Sequence, residues 1–184
     1  ANPRQLWIKE ENVDAFRAMN HRTREISMKE NGFAPVIIMQ ATHSGRYSKP
    51  QGVPAPLIAY SNPLFEKDSP IPPERIVTDD YLKRLIERMG EAARLAEKAG
   101  FDGVDIKSCH GYLGSELLSA YTRPGRFGGR FENRTRFLRE SIAAARAAVG
   151  SGFLVTSRLN IYDGFPYPYG FGVNEKDGLT PDLT

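Results

Sequence analysis

Lys107, Cys109, His110 and Tyr112 fall within six residues at the end of the stretch "FDGVDIKSCHGYLG". The first part has the makings of a strand, since Val104 and Ile106 are β-branched. A strand that only packs needs apolar residues and a turn. This one ends instead in an ammonium, an imidazole and a phenol, groups that hold anions or carbonyl oxygens and move protons. Two other apolar runs end in the same way: "VIIMQATHSGR" delivers Gln40, His43 and Arg46, and "FLVTSRLN" delivers Arg158 and Asn160. Lysine and arginine are seldom buried unless paired, so closing three apolar strands with them points to a site. Cys109 has the size of a packing residue, and one cysteine with three histidines supports no metal centre. His21 falls mid-helix and is expected at the surface.

The elements that must position these groups alternate along the chain. Residues 12–29 place Val13, Phe16, Met19, Thr23 and Ile26 on one helical face. Asn31-Gly32 breaks that helix, and 36–39 should be a strand buried on both faces. Thr78 is a candidate N-cap, with Asp79 and Asp80 in the first turn and Leu82, Leu85, Ile86, Met89, Ala93 and Ala96 as the apolar stripe behind. Gly100 closes that helix before a strand over 101–107. A short segment near 115–120, a helix over 131–149 with Phe137, Leu138, Ile142 and Ala145 inward, and a strand over 153–159 follow. Helix and strand in strict alternation predict adjacent parallel strands joined by helical crossovers. The two long loops, 42–77 and 160–184, both leave the carboxyl end of a strand, where parallel α/β folds build their sites.

At 184 residues the chain can bury a sizeable core. A net charge of +3, with basic residues scattered among acidic ones, does not favour nucleic-acid binding. No stretch is long and apolar enough for a membrane span, and residues 1–10 lack a signal-peptide core. A single cysteine excludes an internal disulfide framework and sets a cytoplasmic expectation.

Longer motifs narrow this further. Gly111-Tyr112-Leu113, Gly128-Gly129 and Glu132-Asn133-Arg134-Thr135-Arg136-Phe137 follow the strand, "QATHSGR" precedes it and "SRLN" comes after. Together they resemble the old yellow enzyme family of flavin-dependent NAD(P)H oxidoreductases. The resemblance covers nearly the whole chain. It implies a partial (β/α)8 TIM barrel, with strands three to five here, so that 1–184 would be an internal segment of a longer FMN-binding domain. Gln40 and Arg158 would face the flavin pyrimidine, His110 would take the second substrate-binding position, and Tyr112 would be the proton donor.

The implied chemistry is NAD(P)H-dependent reduction of FMN followed by hydride transfer to an activated alkene, a small-molecule substrate. Lys107 stands where the commonest family pattern has histidine, so it could hold a substrate carboxylate or an enolate oxygen. A lysine at a barrel strand end could equally be a Schiff-base nucleophile of an aldolase or lyase. A third possibility is a non-catalytic piece that self-associates through unpaired sheet edges. A homo-oligomer is compatible with each.

Overall fold

The three expected strands form one parallel sheet. The computed structural model describes residues 2–182, in which α1 (Val13–Asn31), β1 (Ile38–Ala41), α2 (Pro63–Glu66), α3 (Asp79–Lys98), β2 (Gly103–Ser108), α4 (Leu113–Leu118), α5 (Phe131–Arg134), α6 (Arg136–Ala147) and β3 (Leu154–Leu159) follow in order. The sheet order is β1-β2-β3, and both pairings are parallel. Residues 183–184 of the expected tail loop lie outside the described residues.

Register decides which side chains share a face. Gln40 pairs with Asp105 and Asp105 with Thr156, while Lys107 pairs with Arg158. Side chains alternate across a strand, so these five residues leave one side of the sheet and Val104, Ile106 and Ser108 leave the other. The latter side is covered. Val104 and Ile106 are wholly buried, as are Leu82, Ala93 and Ala96 of α3 and Ala145 of α6. Among the described residues the former side is left open, and Ile38 and Leu154 remain 40% and 46% exposed. The sheet is therefore not buried on both faces at β1, as its apolar run predicted, because its helices all lie on one side.

α3 forms as its sequence predicts. The Thr78 hydroxyl accepts from the Tyr81 N–H, and Gly100 takes φ +74° just past the helix end. There a left-handed residue lets the chain turn directly into β2. Gly103 lets β3 approach β2, since a Cβ would stand 2.7 Å from that of Leu154. The expected helix over 131–149 is broken at Thr135, whose hydroxyl donates to the Phe131 carbonyl.

The face of α1 differs from expectation. Val13, Phe16 and Asn20 are buried, whereas Met19 and Ile26 are 41% and 46% exposed and Thr23 hydrogen-bonds its own helix. The N-terminal half of the helix joins the apolar core through Val13 and Phe16, whose ring lies 6.2 Å from that of Phe101, and the rest lies against polar backbone. Arg17, Asn20 and Arg24 donate to the carbonyls of Lys98, Ala99 and Gly100, capping the end of α3 from the side. Arg24 also pairs with Asp102 at 2.7 Å, and Asp102 accepts the Ile37 N–H at 2.6 Å. That carboxylate ties the start of β1 to the start of β2.

Candidate active site

The uncovered sheet face carries polar groups at the carboxyl ends of all three strands. Gln40 Nε2 donates to Asp105 Oδ1 at 3.3 Å, and Thr156 Oγ1 donates to Asp105 Oδ2 at 3.3 Å. A hydrogen-bonded row thus crosses the sheet with its carboxylate in the middle. One pleat further on stand Lys107 and Arg158. The Lys107 ammonium lies 3.6 Å from the centre of the Tyr112 ring, within cation–π distance. Tyr47, from the loop after β1, meets the other ring at 5.7 Å. Arg158 is exposed and makes no ion pair or hydrogen bond among the described residues.

His110 goes elsewhere. It takes φ +63°, followed by Gly111 at +65°, so the chain reverses sharply after β2. The residue is exposed and makes no hydrogen bond or ion pair among the described residues. It lines a cleft of about 200 Å³ whose walls include Tyr47, Tyr60, Phe65, Phe165 and Tyr169. The loop after β3 supplies the last two. That loop is folded onto the molecule rather than loose: Phe65 meets Phe165 edge-on at 5.0 Å, Tyr121 meets Tyr167 at 4.9 Å, and Val173 is buried.

Two residues that the strand-end clustering grouped with the site serve the scaffold instead. The Gly45 N–H donates to His43 Nδ1 at 3.0 Å, which leaves Nε2–H to donate to the Tyr81 hydroxyl at 2.8 Å. The bonds fix one neutral tautomer, and burial pushes the pKa of His43 down to about 4. Arg46 is buried with two carboxylates. Its Nε donates to Glu116 at 2.7 Å and its Nη1 to Glu66 at 3.0 Å, with side chains 9%, 6% and 4% exposed respectively.

The carboxylates of that cluster differ in their surroundings. Burial would raise Glu66, but the Asn62 N–H, the Ser61 hydroxyl and Arg46 together hold it below the usual range. Glu116 also accepts the Ala59 N–H at 3.0 Å. Burial dominates there, and with Glu66 nearby it raises the carboxyl to about 7 against the pull of Arg46. The cluster went unread in the sequence because its members are 20 and 70 residues apart. Burial likewise raises the Cys109 thiol, which is 1% exposed and behaves as a packing residue. Among the described residues no cluster of histidine, cysteine, aspartate and glutamate could hold a metal ion, and no helix is long and apolar enough to cross a membrane.

A parallel α/β sheet with one covered face, and a cation-bearing polar row at the carboxyl ends of its strands, describes a class of catalytic scaffold. The particular family follows from comparison. The chain belongs to the NADH:flavin oxidoreductase / NADH oxidase family, whose model matches residues 2–170. It is 41% identical over 112 residues to an NADPH dehydrogenase of Clostridium acetobutylicum, an alignment covering 60% of this chain and 32% of that protein. It is 30% identical over 194 aligned positions to an NADPH dehydrogenase of Geobacillus thermodenitrificans, covering 83% and 55%. Among solved structures, a 2-naphthoyl-CoA reductase in complex with 2-naphthoyl-CoA superposes with a TM-score of 0.69 at 26% identity, over 89% of this chain and 25% of that one. The chain thus spans about a third to about half of the length of the two dehydrogenases.

Proposed function

We propose that the 184 residues form strands three to five of a (β/α)8 barrel that binds FMN across its strand ends and reduces an activated C=C bond with NAD(P)H. The observation that carries this is the uncovered sheet face. A sheet whose helices all lie on one side, with an in-register row of polar side chains on the other, matches the wall of a barrel whose interior faces a ligand. Its two edge strands each pair on one side only among the described residues, as strands inside a longer closed sheet would.

The residues present suit FMN. Arg158 offers a planar fork of donors that no described acceptor engages, and Gln40 offers an amide on the same face. Both match the electron-rich pyrimidine edge of a flavin. When bound, FMN would supply the hydride that adds to the β-carbon of the alkene. Lys107 would donate to the oxygen on which negative charge develops, where a positioned donor contributes most. Tyr112, held in place by the Lys107 ammonium and by Tyr47, would donate its phenolic proton to the α-carbon. His110 would serve the same oxygen only if the turn at 110–111 brought its ring out of the cleft.

The test uses the full polypeptide that carries this chain. A flavin absorbance band, bleached anaerobically by NAD(P)H and restored by 2-cyclohexenone, is the expected result. A colourless protein in which borohydride traps a carbonyl substrate on Lys107 would overturn it in favour of Schiff-base chemistry.

A further inference from the structure

The Tyr112 phenol has no hydrogen-bond partner among the described residues, so its place is set by ring contacts and by its own backbone. Both lead to Glu116. Tyr112 is the residue before α4, and its carbonyl accepts the Glu116 N–H at 2.9 Å. The Glu116 carboxylate then reaches the loop after β1, where it accepts from Arg46 Nε at 2.7 Å and from the Ala59 N–H at 3.0 Å. Arg46 and Tyr47 share a single 3-10 turn, Gly45–Tyr47, and the Tyr47 ring lies 5.7 Å from that of Tyr112. One residue therefore holds the backbone of the phenol with its amide and the ring neighbour of the phenol with its side chain.

We propose that Glu116 is a positioning residue for Tyr112, fixing the phenol for proton transfer through the turn that carries Arg46 and Tyr47. This rests on the reading above in which Tyr112 is the proton donor. The two segments already meet backbone to backbone at one point. Gly45 takes φ +58°, a Cβ there would stand 2.6 Å from the Leu113 nitrogen, and the Leu113 N–H donates to the His43 carbonyl at 3.3 Å. A single point leaves the segments free to pivot about it, and the Arg46–Glu116 pair supplies the second. The other ion pair of Arg46 runs to Glu66 on α2, and its Nη2 is buried without a partner. Without Glu116, therefore, no ion pair or hydrogen bond ties that guanidinium to α4, and Tyr47 follows α2 rather than Tyr112. A charge-assisted bond between side chains 9% and 6% exposed makes a short, stiff link. Such stiffness matters at a reacting group, where a misplacement of about 1 Å can cost about a hundredfold in rate.

The experiment uses the flavin-loaded full polypeptide, with 2-cyclohexenone as the alkene and the two half-reactions followed separately by stopped-flow absorbance. Glu116→Ala should slow the alkene half-reaction by about tenfold to a hundredfold and leave flavin reduction by NAD(P)H near the parent rate. Glu116→Gln, whose amide oxygen can still accept from Arg46, should lose less, and it keeps the test open if the alanine variant does not fold. Because Glu116 acts through Tyr112, adding either substitution to Tyr112→Phe should cost nothing beyond Tyr112→Phe alone. Asn20→Ala, which loses its bond to the Ala99 carbonyl at the opposite end of β2, is the destabilised control and should leave both half-reactions unchanged. A second readout is independent of turnover: 3-fluorotyrosine at position 112 should give a fluorine NMR line that shifts or splits in Glu116→Gln and not in Asn20→Ala. Losses that multiply in the double variant, half-reactions that fall together, or a fluorine line indifferent to Glu116 overturn the proposal. If the line responds to Glu116 while the parent reduces no alkene, the positioning role stands and the alkene-reductase function falls.

Discussion

Glu116→Gln should give this protein a pH dependence of stability that the parent hides. His43 and Glu116 both depart from their ordinary values on folding, in opposite senses. Folding lowers His43 from 6.5 to about 4, so as pH falls through that window the unfolded chain takes up a proton that the folded one does not, and stability is lost. Folding raises Glu116 from 4.5 to about 7, so over that window the folded chain keeps a proton that the unfolded one has shed, and stability is lost as pH rises. Each gap is about 2.5 pH units. At about 1.4 kcal/mol per unit, each is an effect of about 3 kcal/mol, and between pH 4.5 and 6.5 the two nearly cancel.

Replacing Glu116 with glutamine removes one of them. Stability should then rise by about 3 kcal/mol from pH 4 to 6.5, whatever the fixed loss caused by turning an amide toward Arg46 or the Ala59 N–H. His43→Gln, whose amide can both accept from Gly45 and donate to Tyr81, should show the reverse, a fall of similar size from pH 4.5 to 7. Urea denaturation followed by circular dichroism at half-unit pH steps measures each slope. If both variants kept the parent's nearly flat profile, the buried surroundings inferred for His43 and Glu116 would be wrong.

Thr78→Ala should lower stability by about 1 kcal/mol through loss of the α3 cap, with an unchanged denaturant slope. Gly114→Ala should cost about 1 to 3 kcal/mol, because its Cβ would stand 2.8 Å from Ser108 Oγ and 2.9 Å from the Lys107 carbonyl; the same melts measure it. The 184-residue chain alone should bind FMN weakly, since the barrel's phosphate-holding loops are expected beyond its three strands, and a fluorescence titration showing tight stoichiometric binding would contradict this. In the full polypeptide Tyr112→Phe should slow the alkene half-reaction while leaving flavin reduction by NAD(P)H near the parent rate, as stopped-flow absorbance would show.

Strands and their order were legible because local pattern governs them: β-branched runs, a glycine past each helix, a threonine followed by two aspartates. α3 shows this best, since cap, stripe and stop all lie within its own sequence. What escaped was whatever depends on partners far along the chain. The inward face of α1 was misjudged because Met19 and Ile26 have helical spacing but no apolar surface opposite them, and Asn20 was overlooked because its reason to be buried is the Ala99 carbonyl. Arg46 looked like a ligand-binding residue beside Gln40. Only the fold brings Glu66 and Glu116 to it. Lys107, His110 and Tyr112 were legible as chemistry, but the stacking of the Lys107 ammonium on the Tyr112 ring and the two successive left-handed residues at 110 and 111 were not, because both depend on the folded turn.

The Arg46 cluster also bears on how a ligand could enter and leave. One guanidinium joins α2, from the loop after β1, to α4, which follows β2, and Arg123 adds a second tie by donating to the Ala59 carbonyl and to Asp79 at the head of α3. Breaking a buried pair of this kind leaves a charge stranded, so the two loops behave as one rigid rim that cannot open piecemeal. The remaining wall of the cleft, the loop after β3, is held by aromatic edges, backbone bonds and the Asp163 carboxylate. The mouth of the cleft is thus built in two ways, with buried ion pairs across the first two loops and aromatic packing across the third.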